Sequence, residues 1–176
     1  MERFDFQEDI KSVRKQLNKN PDNMTEVVKR CSYGYPQVIK SYPLKDGKPF
    51  PTLFWLTCPY LFSEISKIEE TGGVRDFELK IESENEFRMK YIKAHESEIE
   101  ERIKILGNEI DNLKKNISER LKKVGIGGIS DFTKVKCLHL HYASKIGGID
   151  NPVGEEVEKI LKNNECQNRY CDRIME

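Results

Sequence analysis

Residues 51–59, Pro-Thr-Leu-Phe-Trp-Leu-Thr-Cys-Pro, contain the most apolar run of the chain and decide its fold class. The run Thr52–Thr57 has the length of a strand, and its continuous apolar character predicts a central strand. Pro59 suits the first position of a helix, because the N–H that proline lacks would be unpaired there anyway. We therefore predict a strand that passes directly into a helix ending near Glu70, with Cys58 at the N-cap.

Further strands and helices are predicted on both sides of this segment. Residues 26–31 and 37–42 are rich in strand-forming side chains and flank a turn, which predicts a hairpin. Capping-box spacing and one apolar stripe predict a first helix over residues 5–18. Shorter helices are expected over residues 135–144 and from Pro152 onward. Together these elements indicate an α+β fold, in which a small antiparallel sheet of about three strands packs with several helices.

A long helix is predicted over residues 83–122. Its apolar residues alternate steps of four and three, the spacing of a coiled-coil seam. They are Ile99, Ile103, Leu106, Ile110, Leu113, Ile117 and Leu121. One such helix would be roughly 60 Å long at 1.5 Å per residue, which exceeds the width of one domain. Gly107 is the candidate break, but the seam keeps its phase there. We therefore expect residues 1–176 to form a single domain with a protruding helix, whose seam between residues 99 and 121 forms a homodimer or binds a protein partner.

Composition narrows the classes of function. The 176 residues include 30 Lys and Arg and 30 Asp and Glu, so the net charge of zero gives no general signal for nucleic acid or an anionic membrane. No apolar stretch approaches the ~20 residues of a membrane span, and the charged N-terminus does not resemble a signal peptide. The glycines at 125, 127 and 128 match no phosphate-binding loop, so no nucleotide cofactor is predicted. We expect a cytoplasmic protein.

Five cysteines and two nearby histidines are the candidates for chemistry. The cysteines are Cys31, Cys58, Cys137, Cys166 and Cys171. Thiols stay reduced in the cytoplasm, so these residues indicate metal binding, catalysis or packing rather than disulfide bonds. Cys137 and His141 would share one face of a helix, whereas a strand would place His139 beside them. Thiolate and imidazole are zinc ligands, although the same fragment also fits a buried thiol and two imidazoles that bind nothing.

Cys58 supports a second hypothesis. At a helix N-cap its sulfur would lie near unpaired N–H groups and the positive end of the helix dipole, which lower the pKa of a thiol. Cys58 would then be the nucleophile of a thiol-dependent enzyme, with His139 or His141 as the base. The alternative is that Cys58 is a small apolar residue where the strand enters the core.

Five sequence blocks occur together in a known family. They are Arg30-Cys31 with Gly34 and Pro36, residues 51–59, Ala94-His95, residues 135–139 and residues 151–154. With these blocks the chain resembles a bacterial family known as domain of unknown function 501, from about Pro21 to the C-terminal cysteines. The resemblance implies a shared residue set but no particular chemistry. That set is Cys31, Cys58, Cys137, His139 and Cys166 or Cys171. Relatives often carry a second cysteine where this chain has Tyr33.

We therefore predict that cysteines distant in sequence share one metal site. The ion would be zinc, or the site would hold an iron–sulfur cluster. The candidate ligands are Cys31, Cys58, Cys137, His139, His141 and Cys166, with Cys171 as the alternative to Cys166. A thiol-dependent enzyme that uses Cys58 and a helix-mediated interaction module are the alternative functions.

Overall fold

The computed structural model describes residues 5–176 and shows the predicted α+β fold. Residues 1–4, on which the expectation of no signal peptide rests, lie outside the described part. The helices are α1 (Phe6–Leu17), α2 (Pro59–Glu70), α3 (Gly73–Ser83), α4 (Asn85–Leu106), α5 (Glu109–Asn112), α6 (Lys115–Lys123), α7 (Leu138–Ile146), α8 (Pro152–Ile160) and α9 (Tyr170–Met175), with a 3-10 turn at Ile126–Gly128. The strands are β1 (Met24–Arg30), β2 (Pro36–Ser41), β3 (Leu44–Lys45), β4 (Lys48–Pro49) and β5 (Phe54–Leu56).

The main sheet is antiparallel, with the strand order β1-β2-β5. Ile39 of β2 pairs with Val27 on one side and with Trp55 on the other. The hairpin is confirmed, but the prediction that the third strand is central is wrong, because β2 lies in the middle. Phe54 and Leu56 are buried although β5 is at the edge, since α7 packs against this strand. The packing of α7 against β5 thus explains why residues 52–57 form a continuous apolar run.

The predicted single helix over residues 83–122 is broken into shorter helices. One helix ends at Ser83, and α4 ends at Leu106. Gly107 then has φ 51° and ψ −134°, a backbone conformation that a helix does not continue. Beyond it α6 packs back against α4, so the residues of the seam contact one another within the chain. The prediction of a protruding helix is therefore wrong, and the seam no longer provides evidence for a homodimer.

Arg102 of α4 fixes several loops at once. Its side chain is fully buried, and its two terminal nitrogens donate hydrogen bonds to four backbone carbonyl groups. These belong to Pro51 at 2.7 Å, Leu121 at 2.8 Å, Val124 at 2.6 Å and Gly125 at 3.1 Å. Arg102 therefore attaches the segment before β5 and the segment after α6 to the same helix.

Replacing Arg102 with methionine should destabilise the fold by about 3 kcal/mol or more, because four carbonyl groups lose their donors. Urea denaturation followed by circular dichroism measures the change. Lys104→Met is the control, since Lys104 is exposed on the same helix, and it should change the free energy of unfolding by less than about 0.5 kcal/mol. Equal effects of the two substitutions would contradict the role given to Arg102.

Candidate metal centre

The predicted ligands lie in three places rather than in one pocket. Cys137 and His139 lie next to Glu69, and His141 is buried in the interior. The third place holds Cys31, Cys58, Cys166 and Cys171, and the thiol of Cys171 is near enough to the other three to interact with them electrostatically. Helix α2 separates the first place from the third, because Cys58 caps its N-terminus and Glu69 lies near its C-terminus. Cys31, Cys58 and Cys137 therefore do not meet as expected.

Glu69, Cys137 and His139 form a compact group of possible metal ligands. One ligand atom from each residue lies within 4.8 Å of the other two, and no other such group of three occurs in residues 5–176. Helix α7 begins at Leu138, three residues later than predicted, and this makes Cys137 its N-cap. Cys137 and His139 therefore reach Glu69 from the first turn of a helix.

Both ring nitrogens of His139 have polar neighbours. Nε2 lies 3.0 Å from the carbonyl oxygen of Phe62 and 3.3 Å from the hydroxyl oxygen of Ser66, so it either donates to Phe62 or accepts from Ser66. Nδ1 lies 3.2 Å from Oε1 of Glu69. When Nε2 donates to Phe62, Nδ1 of a neutral ring holds a lone pair that faces a carboxylate, which also only accepts, and a cation between these two atoms makes the contact favourable. In the other tautomer Nδ1 donates to Glu69.

Hydrogen bonds from the surrounding backbone hold Glu69 and His139 in place. The N–H of Leu138 donates to Oε1 of Glu69 at 2.5 Å, and His139 is fixed through Nε2. Burial raises the pKa of the Cys137 thiol, whereas the backbone N–H groups of Leu140 and His139 act in the opposite direction. Ligands held by such outer hydrogen bonds are oriented before an ion arrives.

A mostly apolar cavity of about 350 Å³ opens beside the three residues. Its walls are formed by Trp55, Leu56, Phe62 and Leu140, together with Ser66. The Phe62 ring stacks on the His139 ring with centroids 4.2 Å apart. An ion held at this site would therefore face a space large enough for a small molecule.

Cys58 does not have the environment of a nucleophile. It is the N-cap of α2, as predicted, and the N–H groups of Leu61 and Tyr60 favour its thiolate. Burial has the larger, opposite effect, however, and raises the pKa of the thiol to about 11. The expected lowering of this pKa is therefore wrong, because the loss of water outweighs the helix N-terminus.

Alkylation by iodoacetamide at pH 8 should modify Cys58 at least about tenfold more slowly in the native protein than in urea, because a raised pKa lowers the thiolate fraction. Mass spectrometry of the digested protein gives the rate for each cysteine. The half-buried Cys31 is the reference in the same digest. Equal or faster reaction of native Cys58 would restore the nucleophile hypothesis.

His141 belongs to a buried polar network and does not share an ion with Cys137. Its ring is fully buried, with Nε2 3.2 Å from the hydroxyl of Tyr91 and Nδ1 3.2 Å from the amide of Asn151. His95 lies in the same network and accepts the N–H of Ile126 at Nδ1. Burial lowers the pKa of His141 to about 3 and that of His95 to about 4. Both rings are therefore neutral in the folded protein at pH 7.

Glu98 lies one helical turn from His95 and responds to pH in the opposite way. Its carboxylate accepts a hydrogen bond from Ser144 at 2.7 Å, and burial raises its pKa to about 7. The lowered histidine pKa values give stability that is complete above about pH 6.5 and is lost as the pH falls toward 4. The raised pKa of Glu98 gives stability that is complete below about pH 4.5 and is lost as the pH rises through 7. Between about pH 4.5 and 6.5 the effects of the histidines and of Glu98 on the free energy of unfolding partly cancel.

Replacing Glu98 with glutamine should remove this cancellation. In the wild type the unfolded chain binds two protons at the histidines between about pH 5 and 6.5, while the folded chain binds one at Glu98. The free energy of unfolding of Glu98→Gln should therefore fall more steeply with acidification, by up to about 1.4 kcal/mol per pH unit. Urea denaturation at a series of pH values measures both slopes. Parallel curves for the two proteins would rule out a protonated Glu98.

A family model described as "Protein of unknown function (DUF501)" matches residues 27–159 of the chain. The chain belongs to the DUF501 family. The match confirms the resemblance seen in the sequence blocks. It includes Glu69, Cys137 and His139, and it ends before Cys166 and Cys171.

Other comparisons give no further relatives, since no curated protein and no solved structure matches this DUF501 chain. Within residues 5–176, no helix has both the length and the apolar composition that a membrane span requires.

Glu69 is the candidate ligand that the sequence did not reveal. Phe62, Ser66 and Glu69 lie at helical spacing on one side of α2, whereas Leu61 and Ile65 are buried in the core. All three contact His139. The spacing within α2 is visible in the sequence, but nothing there indicates that this side of the helix faces α7.

Proposed function

We propose that this DUF501 protein binds a zinc ion through Glu69, Cys137 and His139. The contact between Nδ1 of His139 and the carboxylate of Glu69 supports the proposal most strongly, because both atoms accept when Nε2 donates to Phe62. A zinc ion would satisfy both acceptors, and a thiolate is a third suitable ligand in the same position. The hydrogen bond of Nε2 to a backbone carbonyl is the usual support of a metal-binding histidine.

The donor set favours zinc over an iron–sulfur cluster at this site. Clusters are held mainly by cysteine thiolates, and only one cysteine belongs to this group. A carboxylate, an imidazole and a thiolate are each ordinary zinc ligands.

Three protein ligands leave a fourth position for water, which is the arrangement of catalytic rather than structural zinc. That position would lie beside the apolar cavity between Trp55 and Phe62. Zinc lowers the pKa of bound water and polarises carbonyl oxygens. We therefore propose a zinc-dependent site for a small molecule with an apolar part, in place of the thiol-dependent site predicted around Cys58.

Glu69→Gln should weaken zinc binding by at least about a hundredfold, because it removes a charged ligand yet keeps an oxygen that accepts from Leu138. Metal analysis of protein purified without chelator, and competition with a coloured chelator, should show the loss of one ion per chain. Glu70→Gln is the matched control, since the neighbouring Glu70 is exposed on the same helix.

Cys137→Ser should have the same effect as Glu69→Gln. If the wild type and both variants bind zinc equally, the proposal is wrong. The contact between His139 and Glu69 would then be an ion pair with a protonated ring.

A further inference from the structure

The C-terminal segment, residues 161–176, lies over the turn between β1 and β2. Three hydrogen bonds of 2.8 Å hold it there. They join the N–H of Ser32 to Glu165, the hydroxyl of Tyr35 to Asp172, and the amide of Gln37 to the carbonyl of Asn164. The segment therefore carries Cys166 and Cys171 to the turn that begins at Cys31.

The carbonyl oxygen of Pro36 connects this turn to the start of α2. It accepts hydrogen bonds from the hydroxyl of Thr57 at 3.1 Å and from Nε2 of Gln16 at 2.9 Å. The same Nε2 lies 3.4 Å from the sulfur of Cys171, and Cys58 directly follows Thr57. Cys171 therefore lies near Pro36, and the N–H of Cys58 lies 3.4 Å from the carbonyl oxygen of the next residue, Gln37.

Donor groups are directed at three of these four sulfurs. The N–H of Tyr170 lies 3.4 Å from the sulfur of Cys166, and Gln16 donates to Cys171. The N–H groups of Leu61 and Tyr60 favour the thiolate of Cys58. Such N–H···S contacts are typical of the surroundings of metal-bound thiolates. The side-chain oxygen of Gln16 is buried and has no hydrogen-bond partner among residues 5–176.

We propose that Cys31, Cys58, Cys166 and Cys171 bind a second zinc ion, which attaches the C-terminal segment to the body of the protein. Four thiolates form a closed, structural zinc site, unlike the group at Glu69. This proposal does not depend on the first site, since α2 separates the two.

The four sulfurs lie in one region but are not at ligand spacing. No three of them lie within 4.8 Å of one another in the described chain. Binding of one ion by all four therefore requires cysteine side chains to change rotamer, which moves a sulfur without any change of the backbone.

Metal analysis of the full chain tests the proposal through two complementary variants. The wild type should contain two zinc ions, Glu69→Gln with Cys137→Ser should contain one, and Cys166→Ser with Cys171→Ser should also contain one. Cobalt(II) in place of zinc distinguishes the sites. The first variant should show the strong charge-transfer absorption of four thiolates, and the second the weaker absorption of one. If the proposed site at Glu69 binds no zinc, the expectation for the four cysteines is unchanged.

Cys31→Ser is the milder variant if the double serine variant does not fold, because Cys31 is half-buried at a turn. When Cys31→Ser is combined with Glu69→Gln and Cys137→Ser, the cobalt charge-transfer absorption should fall by about a quarter. Two zinc ions retained by the Cys166 and Cys171 variant would overturn the proposal. A single zinc ion in the wild type that is lost with Cys137→Ser, or iron with acid-labile sulfide, would overturn it as well.

Discussion

The buried guanidinium of Arg102 is the interaction on which the arrangement of the chain depends. It binds carbonyl groups from the segment before β5 and from the segment after α6, which are about seventy residues apart in sequence. A charge without water is tolerated only where hydrogen bonds compensate for its burial, and four carbonyl groups supply them. Since β5 passes directly into α2, the position of Arg102 also affects the helix that carries Cys58 and Glu69.

Helix α2 determines how the cysteines are distributed. Cys58 at its N-cap and Glu69 are eleven residues apart, or roughly 16 Å along a helix. One end therefore meets the C-terminal segment, and the other end meets the first turn of α7. A helix of this length keeps its two ends apart, so each end has its own candidate ligands. The end at Glu69 combines a carboxylate, a thiol and an imidazole beside a cavity, whereas the candidates at the end of Cys58 are all thiols.

Burial, rather than residue type or position in a helix, decides the chemistry of the thiols and imidazoles. Cys58 and Cys137 are both helix N-caps, yet the pKa of each thiol is raised, because the loss of water outweighs the nearby N–H groups. His141 is two residues from His139, but it points into the core and is held neutral by burial. His139 lies at the edge of a cavity, with its Nδ1 beside the carboxylate of Glu69.

The sequence by itself determined the local structure: the hairpin, the passage from β5 into α2, the N-caps at Asp5 and Cys58, and the start of α8 at Pro152. These features depend on residues a few positions apart, and their spacing is written in the chain. The family was also recognisable from the order of its blocks. Cys137 and His139 were candidates because thiols and imidazoles are metal ligands wherever they occur.

Only the tertiary structure showed that the chain turns back at Gly107, that Glu69 joins Cys137 and His139, and that the other cysteines gather elsewhere. The seam of residues 99–121 has the same spacing whether it meets a second chain or folds back within its own. The sequence fixes the period of a helix, but packing decides which of its faces meets which partner.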